Sequence, residues 1–189
     1  ESIPRVDKIF GPGNVFVQVA KRSVFGEVGV DGFYGPTETV ILADESADPS
    51  LCAADILAQA EHDTLASAIL ITTSRDIASL VNQEIEKQLC VLDRHETIAA
   101  SLEKRCGTVI VPSMDDAVAL INEYAPEHLT VMAEDLDWWL DRLSCYGSLF
   151  LGEETTVAFG DKASGTNHVL PTSGAASYTG GLSVHKYMK

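Results

Sequence analysis

No apolar run in the 189 residues approaches the ~20 that a membrane-spanning helix needs, and the opening residues do not read as a signal peptide. Cations are scarce: 13 Lys and Arg stand against 28 Asp and Glu, for a net charge of −15. Without a Lys/Arg cluster to neutralise phosphates, neither nucleic acid nor an anionic membrane is expected as the main partner. The four cysteines, Cys52, Cys90, Cys106 and Cys145, contain no C-x-x-C pair. Scattered thiols of this kind read as reduced and mostly buried, as in a cytoplasmic protein. Internal repeats and low-complexity segments are lacking too. So is an initiator methionine: Glu1-Ser2-Ile3-Pro4 runs straight into structured-looking sequence, which reads as a piece of something longer. What is present is ample for a core, since 46% of the residues are apolar.

Short β-type runs alternate with amphipathic helical stretches. Thr39 to Ala43 reads as a strand, and Asp48-Pro49 is an N-cap and N1 pair opening a helix through Leu51, Ala54, Ile56, Leu57 and Ala58. Ala68 to Thr72 is the next strand. Ser74 caps a helix whose Ile77, Leu80, Val81, Ile85 and Leu89 share one face. A helix over His95 to Lys104, a strand over Thr108 to Val111 and a helix capped by Ser113 follow. In that last helix Asp115 and Asp116 suit the dipole, and Val118, Leu120 and Ile121 point inward. His128 to Met132 is strand-like, Leu136 to Leu143 helical, and Ser148 to Leu151 a strand. Continuous apolar strands between helices predict an α/β fold, a parallel sheet with helices on both faces in an incomplete Rossmann-like domain. Ligands of such sheets are expected beyond the carboxyl ends of the strands.

The polar punctuation is concentrated. Gly160-Asp161-Lys162-Ala163-Ser164-Gly165-Thr166-Asn167-His168-Val169-Leu170-Pro171-Thr172 is irregular and dense in short polar side chains. Gln59-Ala60-Glu61-His62 and Pro126-Glu127-His128-Leu129 are its natural partners. The three clusters bring three histidines, three carboxylates and an amide, the chemistry of a metal-assisted or acid–base site. Gln59 and His62 project from one face near a helix end. Imidazole suits zinc, an amide oxygen alone indicates no metal, and Asp161 is the obvious carboxylate to complete a set with exchangeable positions. Glu127 and His128 are adjacent and would face opposite ways in a regular strand, but a bend at a strand terminus brings both to one pocket. Surface or core roles are the plain alternative for each of these residues. His95 and His185 read as solvated bystanders. Gly11-Pro12-Gly13-Asn14 opens a helix running to about Phe25 and offers free N–H groups to a phosphate, although it is not G-x-G-x-x-G.

Five ordered motifs, Val6 to Asn14, Gly35-Pro36-Thr37-Glu38, Gln59 to His62, Pro126 to Leu129 and Gly160 to Thr172, closely resemble histidinol dehydrogenase over essentially the whole chain. The resemblance implies a zinc-dependent homodimeric enzyme that uses two NAD to oxidise histidinol, an amino alcohol, through the aldehyde to histidine. It implies Gln59, His62 and Asp161 as zinc ligands that also hold substrate, and His128 as the base on the alcohol, also touching substrate. Glu127 is implied as the group activating water for the second oxidation, Asn14 as a dinucleotide contact and Thr37 as a substrate contact.

The resemblance also implies a division of the chain. Residues 1–38 would close a dinucleotide-binding Rossmann-like domain, residues 39–181 would carry the zinc and acid–base residues, and residues 182–189 would begin a C-terminal segment. In the family that segment, from the other subunit, supplies a further zinc-binding histidine and a substrate-binding glutamate; His185 is too early to be that histidine. Thr37 stands where the family usually has serine, and relatives oxidise other small alcohols, including a sulfonated propanediol. Histidinol is the first expectation for substrate. A paralogue acting on another alcohol, or a non-catalytic chain keeping only the fold, are the alternatives.

Overall fold

The computed structural model describes residues 4–162 and 164–189. At its centre a five-stranded, wholly parallel sheet is built from β3 (Glu38–Ala43), β4 (Ser67–Thr72), β5 (Gly107–Ile110), β6 (His128–Met132) and β7 (Ser148–Leu151), in the order β5-β4-β3-β6-β7. The chain winds outward from β3 through β4 to β5, crosses back, and continues through β6 to β7. Parallel neighbours cannot be joined by a tight turn, so each crossover carries a helix. Helices α2 (Pro49–His62), α3 (Arg75–Leu89) and α4 (His95–Arg105) cover one face, and α5 (Met114–Tyr124) and α6 (Leu136–Leu140) the other. This is the doubly wound, Rossmann-like arrangement that the alternating pattern predicts.

Strand alternation sorts the core into two layers. Ile41, Ala43, Leu70 and Met132 pack against Cys52, Ala53 and Ile56 of α2 and Ile77 and Val81 of α3. On the opposite face Val40, Leu42, Leu129 and Val131 meet Ala117 and Ile121 of α5 and Trp139 of α6. Side chains of the central strands are apolar on both faces because both faces are covered. Helix starts follow the expected chemistry. Asp48 accepts from Ser50 N with Pro49 at the first helical position, Ser74 accepts from Ile77 N, and Ser113 accepts from Asp116 N.

Some local expectations need correcting. Leu51 and Leu80 are exposed, at 40% and 45%, because their helix positions fall on the solvent side of the stripe. Helix α6 stops at Leu140 instead of Leu143. Beyond it the Asn122 side chain donates to Arg142 O and accepts from Ser144 N and Cys145 N, drawing the chain toward α5. All four cysteines are free, but only Cys52 is buried; Cys90 is exposed and the other two lie between. No described helix is long and apolar enough to cross a membrane.

Residues 4–36 form a small annex: α1 (Val15–Val24) and the parallel pair β1 (Lys8–Ile9) and β2 (Gly29–Val30). Its organising group is a buried ion pair. Lys21 Nζ lies 2.5 Å from Asp31 Oδ1, with the two side chains 2% and 0% exposed. Such a pair is tolerated inside only when the remaining donors and acceptors are satisfied. Lys21 also donates to Gly11 O, and Asp31 accepts from Gly11 N, Gly32 N and the Tyr34 hydroxyl. Although burial works against its charge, these partners hold the Asp31 carboxyl below the ordinary carboxylate range. The short helix α8 (Val184–Tyr187), in the segment after residue 181, packs back on this annex. Tyr187 stacks on Phe10 at 4.1 Å, Lys186 donates to Asp31 O, and Lys8 donates to Lys186 O.

Candidate active site

A cavity of about 440 Å3 opens at the amino edge of the sheet, not at the carboxyl edge where ligands of such sheets were expected. The reason is local. Helix α2 runs antiparallel to β3, so its last turn, with Gln59 and His62, ends level with the starts of β3 and β6. There the segment before β3 supplies Tyr34, Gly35 and Thr37, and the start of β6 supplies Glu127 and His128. The chain after β7 passes through α7 (Val157–Gly160) and completes the wall with Thr156, Val157, Asp161, His168 and Thr172.

The structure thus brings together six of the seven residues implied for the site: Thr37, Gln59, His62, Glu127, His128 and Asp161 all line this one cavity. Asn14 is the exception. It caps α1, its side-chain oxygen accepting from Phe16 N and Val17 N at 3.1 and 3.2 Å. Of the donors read into the Gly11–Asn14 turn, Gly11 N is given to Asp31. Glu61, counted among the three carboxylates, does not line the cavity. Ala163, inside the polar run, lies outside the described residues.

His128 and Glu127 do reach one pocket from adjacent positions, as a bend at the strand start allows. Gly147 permits that approach: a Cβ on it would sit 2.4 Å from Glu127 O and 3.1 Å from Pro171 Cδ. Glu127 Oε2 accepts from Glu38 N at 3.2 Å and lies 3.8 Å from His128 Nδ1, too far for a direct hydrogen bond. Burial pushes the Glu127 carboxyl up to about 7, with the charges of Glu38 and Asp161 adding to it and the Glu38 N–H and Thr37 hydroxyl opposing. Burial pulls His128 down to about 4, the nearby His168 and His62 acting the same way and Asp161 against it. At neutral pH His128 is therefore an uncharged imidazole, so the pair is not an ion pair. Nδ1 is its enclosed nitrogen, without a hydrogen-bond partner.

On the facing wall, Asp161 Oδ1 lies 2.8 Å from His168 Nδ1. The set of Gln59, His62 and Asp161 offers one amide oxygen, one imidazole and one carboxylate around a common space, a donor combination that suits zinc with positions left open. Among the described residues no three of His, Cys, Asp and Glu gather closely enough to form a metal cluster on their own. The lining residues that sequence reasoning did not single out, Tyr34 and Thr156 to Ala158, carry no chemical signature; only the folded chain places them here.

Comparisons with known proteins give the family of the chain. The family model described as histidinol dehydrogenase matches residues 1–189. A sulfopropanediol 3-dehydrogenase of Ruegeria pomeroyi is 54% identical over 99% of this chain and 43% of its own length. A histidinol dehydrogenase of Lactococcus lactis is 46% identical over 100% of this chain and 44% of its own. The crystal structure of histidinol dehydrogenase from Elizabethkingia anophelis superposes with a TM-score of 0.90 at 40% identity, covering 98% of this chain and 43% of that one. The chain therefore spans less than half the length of these relatives. It belongs to the histidinol dehydrogenase family.

Proposed function

We propose that the protein carrying this chain is a zinc- and NAD-dependent dehydrogenase that oxidises a small primary alcohol through the aldehyde to the acid. One observation carries the reading: a buried, neutral imidazole and a carboxyl raised to about 7 share a cavity with an amide, an imidazole and a carboxylate on its other wall. Gln59, His62 and Asp161 would hold the metal, with His168 Nδ1, 2.8 Å from Asp161 Oδ1, orienting that carboxylate. Zinc, when bound, supplies Lewis-acid polarisation of the alcohol oxygen and anchors the substrate. NAD, when bound, would supply the hydride acceptor, and His128 would take the hydroxyl proton at Nε2, the nitrogen that is not enclosed. Neutral at pH 7, it is ready as a base without first losing a proton. Glu127 in its ionised form would take a proton from the water that adds to the aldehyde. Asn14, whose oxygen caps α1, has its amide NH2 left for the dinucleotide. The homodimer, with a further zinc ligand from the second subunit, is part of the same proposal.

For the substrate, histidinol is the first reading. A second is favoured by a specific observation: identity is 54% to the relative named for sulfopropanediol and 46% to two relatives named for histidinol. Against it, the described cavity wall holds no Lys or Arg to meet a sulfonate, and Lys162, the nearest candidate in sequence, is exposed and does not line it. Thr37 keeps the hydroxyl of the usual serine and adds a methyl, a change worth only ~1–3 kcal/mol in discrimination. Steady-state assays of the whole protein with histidinol and with dihydroxypropanesulfonate decide between them by kcat/KM. Failure to reduce NAD with either, or with other small primary alcohols, would overturn the proposed reaction.

A further inference from the structure

Four buried side-chain atoms lack a hydrogen-bond partner among the described residues: Thr39 Oγ1, Thr130 Oγ1, Asp55 Oδ2 and His128 Nδ1. A few such atoms are ordinary in a protein of this size; their placement is not. Thr39 pairs across the sheet with His128, and Thr130 stands two residues further along β6. Side chains of this parity face α2, since Ile41 and Met132 pack on it and Met132 Sδ lies 3.3 Å from Cys52 Sγ. Asp55 comes down from α2 against Thr130 and Thr156, whose hydroxyls help hold its carboxyl down against the effect of burial, although neither Asp55 Oδ2 nor Thr130 Oγ1 makes a contact of full hydrogen-bond geometry. All four orphans therefore occupy one patch between α2 and the sheet, directly beneath the cavity wall. Thr39 and Thr130 are 1% and 0% exposed, so bulk water does not serve them.

Buried polar groups that find no protein partner are satisfied by internal water, which makes two to four hydrogen bonds and costs little to immobilise. We propose that Thr39, Thr130 and Asp55 form a buried seat for ordered water that hydrogen-bonds His128 Nδ1 and holds the ring with Nε2 toward the substrate. The three are positioning residues for His128. Two features make the arrangement chemically coherent. Nδ1 has no direct partner to set its tautomer, although a base acting through Nε2 needs one. Glu127 Oε2, the nearest charged acceptor at 3.8 Å, is beyond direct bonding distance and is itself bound by Glu38 N.

This inference rests on His128 being the base of the proposed reaction. The test is the double variant Thr39→Val and Thr130→Val in the whole protein, which keeps shape and removes both hydroxyls. If the hydroxyls are merely unpaired, the variant melts at an equal or higher temperature and kcat is unchanged, and the proposal is overturned. If they seat water for His128, kcat for the alcohol step falls about tenfold to a hundredfold, as is usual for lost second-partner groups, with KM and zinc content unchanged. Asp55→Asn is expected to lower kcat in the same way. Should the double variant not fold, a high-resolution crystal structure of the unmodified protein decides. Water within hydrogen-bond distance of His128 Nδ1 and either threonine supports the seat, and a dry patch overturns it. Loss of activity in His128→Asn beside a neutral threonine pair would sink this inference alone; an active His128→Asn would remove the reading beneath it.

Discussion

Replacing Glu127 by Gln sets stability against catalysis, with a sign that depends on pH. The carboxyl titrates near 7 in the folded protein and near 4.5 when free, because burial disfavours its charged form. The folded state therefore holds a proton that the unfolded chain releases, and stability falls as pH rises from about 4.5 through 7. The 2.5-unit difference between about 7 and 4.5 amounts to about 3 kcal/mol when fully expressed. Glutamine keeps the oxygen that accepts from Glu38 N and carries no charge to bury. Relative to the parent, the variant should thus be stabilised by about 1 kcal/mol at pH 5 and about 3 kcal/mol at pH 8. His128 is neutral in both proteins across that range and drops out of the difference. Urea unfolding at the two pH values measures it. The same variant should lose ~10²–10⁴-fold in aldehyde oxidation, the step that needs activated water, and much less in the first hydride transfer. A stability gain equal at pH 5 and pH 8, or equal losses in both half-reactions, would refute the reasoning.

Other expectations follow from the same wall of the cavity. His128→Asn should abolish alcohol oxidation by ~10²–10⁴-fold while zinc content, read by elemental analysis, stays near that of the parent. Because the Thr37 hydroxyl helps hold the Glu127 carboxyl down, Thr37→Val should move the acid limb of aldehyde oxidation to higher pH, and Thr37→Ser should leave it in place; pH–rate profiles distinguish the two. Treatment with a chelator should remove alcohol oxidation, zinc should restore it, and His62→Ala should prevent the restoration.

Much of the architecture was legible in the chain. Continuous apolar runs such as Val40-Ile41-Leu42 are rare outside strands covered on both faces, and the Asp48-Pro49, Ser74 and Ser113 caps mark helix starts by their side-chain oxygens. These are local effects, decided by backbone hydrogen bonding and by which residues leave water, so sequence suffices to read them. The short helix α6 shows the limit. Its local propensity continues past Leu140, but the Asn122 side chain, remote in sequence, satisfies the next backbone groups and ends it.

The chemical inventory of the site was also in the sequence, in Gln59, His62, Glu127, His128 and Asp161, because titratable and ligating groups concentrated at helix and strand ends seldom serve packing. Where the site lies was not. General experience of doubly wound sheets points to the carboxyl edge. The fold put it at the amino edge, since the last turn of α2 descends there and the loop after β7 returns over it. Nor could sequence supply the state of the groups. A glutamate raised to about 7 and a histidine lowered to about 4 owe those shifts to burial and to neighbours from three separate segments. Residue type determines what a group can do; desolvation, which exists only once the chain has closed around it, determines which proton it holds.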